Sequence, residues 1–161
     1  MPNTDTKISV LFVCLGNICR SPMAEAVFAH TVKQHDLSEH FIKIDSAGTA
    51  GYHVGEKPDS RSAATCKDHG VPVNHRAQKV ISRHYDEFDY LLCMDESNLE
   101  DLQRKKPAGS KAVVSLFGDF DPQGDRIIRD PYYGAIDGFE HNFKQVTRAS
   151  EGFLKHLGLL A

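Results

Sequence analysis

Val10-Leu11-Phe12-Val13-Cys14-Leu15-Gly16-Asn17-Ile18-Cys19-Arg20-Ser21-Pro22 decides the reading of this 161-residue chain. The apolar run that ends at Val13 has no polar alternation, which is the pattern of a strand buried on both faces, as in a parallel sheet. A short polar loop follows, and Ser21-Pro22 reads as N-cap and first helical residue. A thiol, a guanidinium and a helix start then share one loop, with Cys14 opening it and Arg20 closing it. Loop N–H groups and the helix dipole favour an anion there. Arg20 can offer it two parallel donors. The same field is expected to hold Cys14 as thiolate below neutral pH, the nucleophilic form. The spacing therefore predicts an oxyanion cradle with a nucleophile at its floor.

Working outward, strands alternate with helices. Strands are expected at Lys7–Val13, Phe41–Asp45, Asp89–Met94 and Lys111–Phe117, the third approached through 85–88. Helices are expected from Ser21 to about His35, from Asp59 to about His69 with Gly70 closing it, and from Asp95 to about Lys105 before Pro107. A last helix opens at Asp137 with Glu140 as a capping box and carries a core stripe of Phe139, Phe143, Val146, Phe153 and Leu157. The glycine-rich segment 46–58 reads as loop. This order predicts an α/β fold: one doubly wound, flavodoxin-like domain over 1–161, with four parallel central strands, helices on both faces and residues 1–6 frayed. Ligands bind at the carboxyl ends of such strands. Cys14, Ser46, Asp95 and the loop after the fourth strand all fall on that edge.

Composition narrows the function classes. Net charge is −3, with no long basic run, which argues against nucleic acid as the main partner. The apolar run at Ile8–Leu15 is too short to span a membrane and carries the chain's best motif, so neither a membrane partner nor a signal peptide is expected. The four cysteines, Cys14, Cys19, Cys66 and Cys93, form no C-x-x-C pair and no metal-ligand spacing. A reducing cytoplasm, no metal and no cofactor are the expectation. Cys66 and Cys93 read as packing residues. Cys19 lies in the loop with Cys14, so it either packs or traps an oxidised Cys14 as a disulfide.

A thiolate facing a phosphate monoester implies in-line displacement, a phosphocysteine and then hydrolysis, with a general acid for the leaving oxygen. The segment 118–136 lacks apolar periodicity and is long enough to be functional. It offers Asp119, Asp121, Asp125 and Asp130, among which residue chemistry does not choose.

Cys14-Leu15-Gly16-Asn17-Ile18-Cys19-Arg20-Ser21, Leu92-Cys93-Met94-Asp95-Glu96-Ser97-Asn98-Leu99 and Asp130-Pro131-Tyr132-Tyr133 resemble low-molecular-weight protein tyrosine phosphatases over nearly the whole chain. The resemblance implies hydrolysis of phosphotyrosine proteins or small aryl phosphates, with inhibition by phosphate-like oxyanions. It implies Asp130 as general acid and Ser21 as support for the thiolate. Asn17, Ser46 and His75 would form a polar network that fixes the loop, with Asp95 as its supporting carboxylate. Leu15, Ile18, Tyr52, Tyr132 and Tyr133 would flank the aromatic leaving group, around a phosphate loop that includes Gly16 and Cys19. Two other classes share the loop. A thiol arsenate reductase needs further paired cysteines late in the chain, and a phosphocysteine carrier domain needs no general acid.

Overall fold

The computed structural model describes residues 7–131 and 137–161. Four parallel strands form one sheet in the order β2-β1-β3-β4. They are β1 (Ile8–Cys14), β2 (Phe41–Gly48), β3 (Tyr90–Cys93) and β4 (Val113–Leu116). Helices α1 (Arg20–Gln34), α2 (Ser60–Asp68), α3 (His84–Glu87), α4 (Glu96–Lys105) and α5 (Asp137–His156) flank it. The expected architecture holds.

The unbroken apolar run of β1 has the expected cause. Val10, Phe12 and Cys14 pack into one cluster with Met23, Phe28, Phe139, Phe143 and Phe153 from α1 and α5. Leu11 and Val13 pack into the opposite one with Tyr85, Phe88, Leu102 and Leu116. Both sides of the central strand are therefore dry, and all seven of its residues are buried. Phe28 joins the first cluster, with ring centroids 5.5 Å from Phe12 and 5.6 Å from Phe153. Burying one such ring contributes on the order of 2–3 kcal/mol.

Several local expectations are corrected. Strand β2 runs on to Gly48, because Ser46, Ala47 and Gly48 pair with Phe12, Val13 and Cys14. Gly48 is required there: a Cβ would sit 2.7 Å from the Leu15 carbonyl oxygen. Strands β3 and β4 are shorter than expected, and residues 84–87 form a turn of helix rather than an approach to β3. Helix α1 starts two residues before Pro22: Cys19 is the N-cap, with no side-chain capping bond, so Ser21 is not the cap and Pro22 is the third helical residue. Asp137 is already helical, and Glu140 pairs with His69 at 2.6 Å instead of closing a capping box. Asp59 and Asp95, where those helices were expected to begin, are their N-caps, the latter with Asn98 in a reciprocal box.

Among the described residues no helix is long and apolar enough to cross a membrane.

Candidate active site

The loop from Cys14 to Arg20 leaves the carboxyl end of β1 and enters α1. Cys14 sits on its floor, 2 % exposed. The Asn17 N–H points at Cys14 Sγ from 3.3 Å, and Ser21 Oγ lies 3.0 Å from the same sulfur. Asn17 turns the loop with φ at 59°, a left-handed conformation that Asn tolerates better than most residues.

The Asn17 side chain holds that turn from behind. Its Nδ2 donates to Ser21 Oγ at 2.8 Å and to Ser46 Oγ at 3.0 Å. Its Oδ1 accepts from the Gln78 backbone N–H at 2.9 Å and lies 2.7 Å from His75 Nε2. The Gln78 N–H can only donate, so the orientation of the amide is fixed. Two consequences follow. Ser21 uses a lone pair on Asn17, which leaves its proton for Cys14 Sγ, the nearer acceptor; the Ala47 carbonyl is at 3.5 Å. His75 Nε2 must carry a proton to satisfy Asn17, which turns Nδ1 toward Glu25 at 3.3 Å and Asp45 at 3.7 Å.

Glu25, Asp45 and His75 place donor atoms within 4.8 Å of one another, the metal-capable arrangement among the described residues. They already satisfy each other, together with Ser46, which donates to Glu25 at 2.7 Å. Burial, reinforced by Asp45, pushes the Glu25 carboxyl up to about 7. Burial also holds the His75 imidazole below its ordinary value.

Arg20 is 2 % exposed and anchored on the opposite side. It donates to Asp95 at 2.7 Å and to the Ile128 carbonyl at 3.0 Å. A second guanidinium nitrogen lies 3.6 Å from the Asp130 carboxylate. Burial opposes its charge, but Cys14, Asp95 and Asp130 outweigh burial and hold its pKa above the ordinary value. Asp95 therefore supports Arg20, not the Asn17 network.

A cavity of about 120 Å³ brings these groups together; Cys14, Arg20 and Asp130 line it with Leu15, Gly16, Ile18, Cys19 and Tyr52. Tyr52 is 78 % exposed and stands at the mouth. Of the four loop acids, Asp130 is the one in the cavity. Asp119 pairs with Arg126, while Asp121 and Asp125 face Arg148. Tyr132 and Tyr133 lie outside the described residues.

Three participants were not anticipated. His53 lines the cavity, its Nδ1 bonded to Glu56. A lone loop His gives no sequence signal. Glu25 was within reach of sequence reasoning, because it lies one helical turn after Ser21 on α1. Asp45 has no such signal. All four cysteines are free and buried. Burial pushes the Cys66 and Cys93 thiols up to about 12 and raises Cys19 further, with Asp59 adding to the rise at Cys19.

Such a floor thiol, clamped guanidinium and facing carboxyl can bind a tetrahedral oxyanion, attack it and protonate what leaves. Known proteins share the whole frame. The family described as "Low molecular weight phosphotyrosine protein phosphatase" matches residues 9–159. A Saccharomyces cerevisiae protein of that name is 55 % identical over 152 residues, covering 92 % of this chain and 94 % of its own. A Homo sapiens protein of that name is 49 % identical over 149 residues, covering 91 % and 94 %. The crystal structure of an Entamoeba histolytica protein tyrosine phosphatase with Hepes in the active site superposes with a TM-score of 0.90 at 37 % identity, covering 94 % and 97 %. With a match that runs from β1 through the last helix, the chain belongs to the low molecular weight phosphotyrosine protein phosphatase family.

Proposed function

We propose that residues 1–161 act as a single phosphatase domain that hydrolyses phosphotyrosine in proteins, and small aryl phosphates, through a phosphocysteine on Cys14. The observation that carries this reading is the convergence of Cys14, Arg20 and Asp130 on one small cavity. Loop N–H groups and Arg20 receive the three non-bridging phosphoryl oxygens, with Gly16, Ile18 and Cys19 shaping the cradle. Cys14 attacks as thiolate, stabilised by the Ser21 hydroxyl and the Asn17 N–H. An S–P bond forms and the P–O bond to the aryl group breaks. Asp130 gives its proton to the departing oxygen. Water then attacks phosphorus, Asp130 takes its proton, the S–P bond breaks and inorganic phosphate leaves.

Binding is dominated by the oxyanion, so phosphate and vanadate compete. Leu15, Ile18 and Tyr52 flank the substrate ring, a role that the family resemblance also gives to Tyr132 and Tyr133. Asn17, Ser46 and His75 hold the loop, and Asp95 holds Arg20. Every step is assigned to side chains and loop N–H groups, with no metal or cofactor.

A peroxide oxidises the Cys14 thiolate to a sulfenic acid, and the Cys19 thiol condenses with it, releasing water and leaving a disulfide that a thiol reduces. Free cysteines and this chemistry suit the cytoplasm. The test is Cys14→Ser: turnover should vanish while vanadate binding stays measurable. Appreciable residual turnover would overturn the assignment.

A further inference from the structure

The rim beside Tyr52 is cationic on a chain whose net charge is −3. Two segments build it. The Gly48 N–H donates to Gln78, the Gly55 N–H to Ala77, the Ala77 N–H to Glu56 and the Val80 N–H to Gly48, each at 2.8–2.9 Å. The mouth loop is thereby zipped to 77–80, which brings Arg76 and Lys79 to its edge. Arg76 donates to the Gly55 carbonyl at 3.3 Å, and the Lys79 stem lies beside Gly51, where a Cβ would meet its Cδ at 3.6 Å. Both are exposed.

Their charges are uncommitted. Arg83, Arg104, Lys105, Arg126 and Arg148 each pair with a carboxylate. Among the described residues Arg76 and Lys79 form no ion pair, and the nearby acids are occupied: Glu56 by His53 and Asp59 by Arg61. Beside them stand two exposed apolar side chains, Tyr52 at 78 % and Val54 at 60 %.

We propose that Tyr52, Val54, Arg76 and Lys79 form a docking surface for acidic residues flanking the phosphotyrosine of a protein substrate, a proposal that rests on the phosphatase reading above. Rigid backbone pairing holds this surface ready before the substrate arrives. The apolar pair covers the chain next to the phosphotyrosine, and the cations meet its carboxylates. Each exposed charge pair should change kcat/KM about two- to fivefold. The effect weakens as salt shortens the screening length.

The experiment compares phosphotyrosine peptides flanked by Glu or by Gln, using wild type and the double variant Arg76→Gln, Lys79→Gln. The wild type should prefer the acidic peptide, and the double variant should lose that preference, by roughly four- to twenty-five-fold in kcat/KM. Nitrophenyl phosphate turnover should be unchanged. Binding of the same peptides to Cys14→Ser, with and without the two rim substitutions, reads docking without turnover. Equal affinity for both peptides there, or equal loss for both in the double variant, overturns the proposal. Should nitrophenyl phosphate resist hydrolysis by wild type, the phosphatase reading falls and the binding measurement still decides docking. Phosphatidylserine vesicles form the last arm: vesicle binding that needs Arg76 and Lys79, with no peptide preference, makes the rim a membrane contact and overturns the proposal.

Discussion

Replacing Asn17 with Ala should be the most damaging conservative change in the loop outside the reacting groups. The side chain is wholly buried and makes four hydrogen bonds, two given and two received. Ser21, Ser46 and His75 each retain another partner. The Gln78 N–H does not, and orphaning such a donor costs about 1–3 kcal/mol. Each of the other three lost bonds costs about 0.5–1.5 kcal/mol before relaxation. Ala also tolerates the φ of 59° less well than Asn, by about 1 kcal/mol. The sum centres on about 6 kcal/mol before relaxation, a large share of an ordinary domain's stability of about 5–15 kcal/mol. Asn17→Gly separates the terms, because Gly adopts that backbone freely. Urea unfolding of both variants should show Gly the more stable by about 1 kcal/mol, with kcat reduced in both because Ser21 loses the bond that orients its proton. A loss below about 1 kcal/mol for Asn17→Ala, or Gly less stable than Ala, would refute the picture of a strained loop tied down by one amide.

Asp130→Ala should slow phosphotyrosine turnover by roughly 100- to 10,000-fold and nitrophenyl phosphate far less, since nitrophenolate leaves without a proton; equal losses in a steady-state comparison would return Asp130 to a turn-forming role. After peroxide treatment and thiol rescue, Cys19→Ser should recover less activity than wild type, and full recovery would remove the protective disulfide. Glu25 titrates at about 7 in the fold against an ordinary 4.5, so the folded state binds the extra proton between those values. Its stabilisation is complete below pH 4.5 and lost as pH rises through 7. Relative to Glu25→Gln, wild type should therefore lose on the order of 1–3 kcal/mol across that window in urea titrations. A flat difference would mean that the carboxyl is ionised throughout.

The central strand, its loop and helix α1 were legible because one physical signal repeats there: an unalternating apolar run needs cover on both faces, and α1 with α5 and α3 with α4 supply it. The site edge was legible for the same reason, since parallel strands end their carboxyl ends together. What escaped depends on tertiary pairing. Ser46-Ala47-Gly48 has weak strand propensity and joins β2 only because β1 offers it a partner. Residues 84–87 are polar and too few to show a period. Ser21 looks like a cap from its neighbours, but Asn17 and Cys14 claim its hydroxyl. His53 enters the cavity only because its loop is zipped to Ala77, and Asp45 meets His75 from a distant segment. The network role of Asn17, Ser46 and His75 came from family resemblance. The structure supplies its physical content, a chain of hydrogen bonds from Glu25 through Ser46, Asn17 and Ser21 to the Cys14 sulfur.

The central claim is that phosphorus passes through the sulfur of Cys14. Rapid quenching during phosphotyrosine turnover, followed by mass spectrometry of the peptide that spans 10–20, tests it most directly. The account predicts one transient phosphoryl group on Cys14, which accumulates further in Asp130→Ala with nitrophenyl phosphate because hydrolysis then lacks its base. Turnover with no phosphoryl group on the protein, or with the group on another residue such as His75, would contradict it.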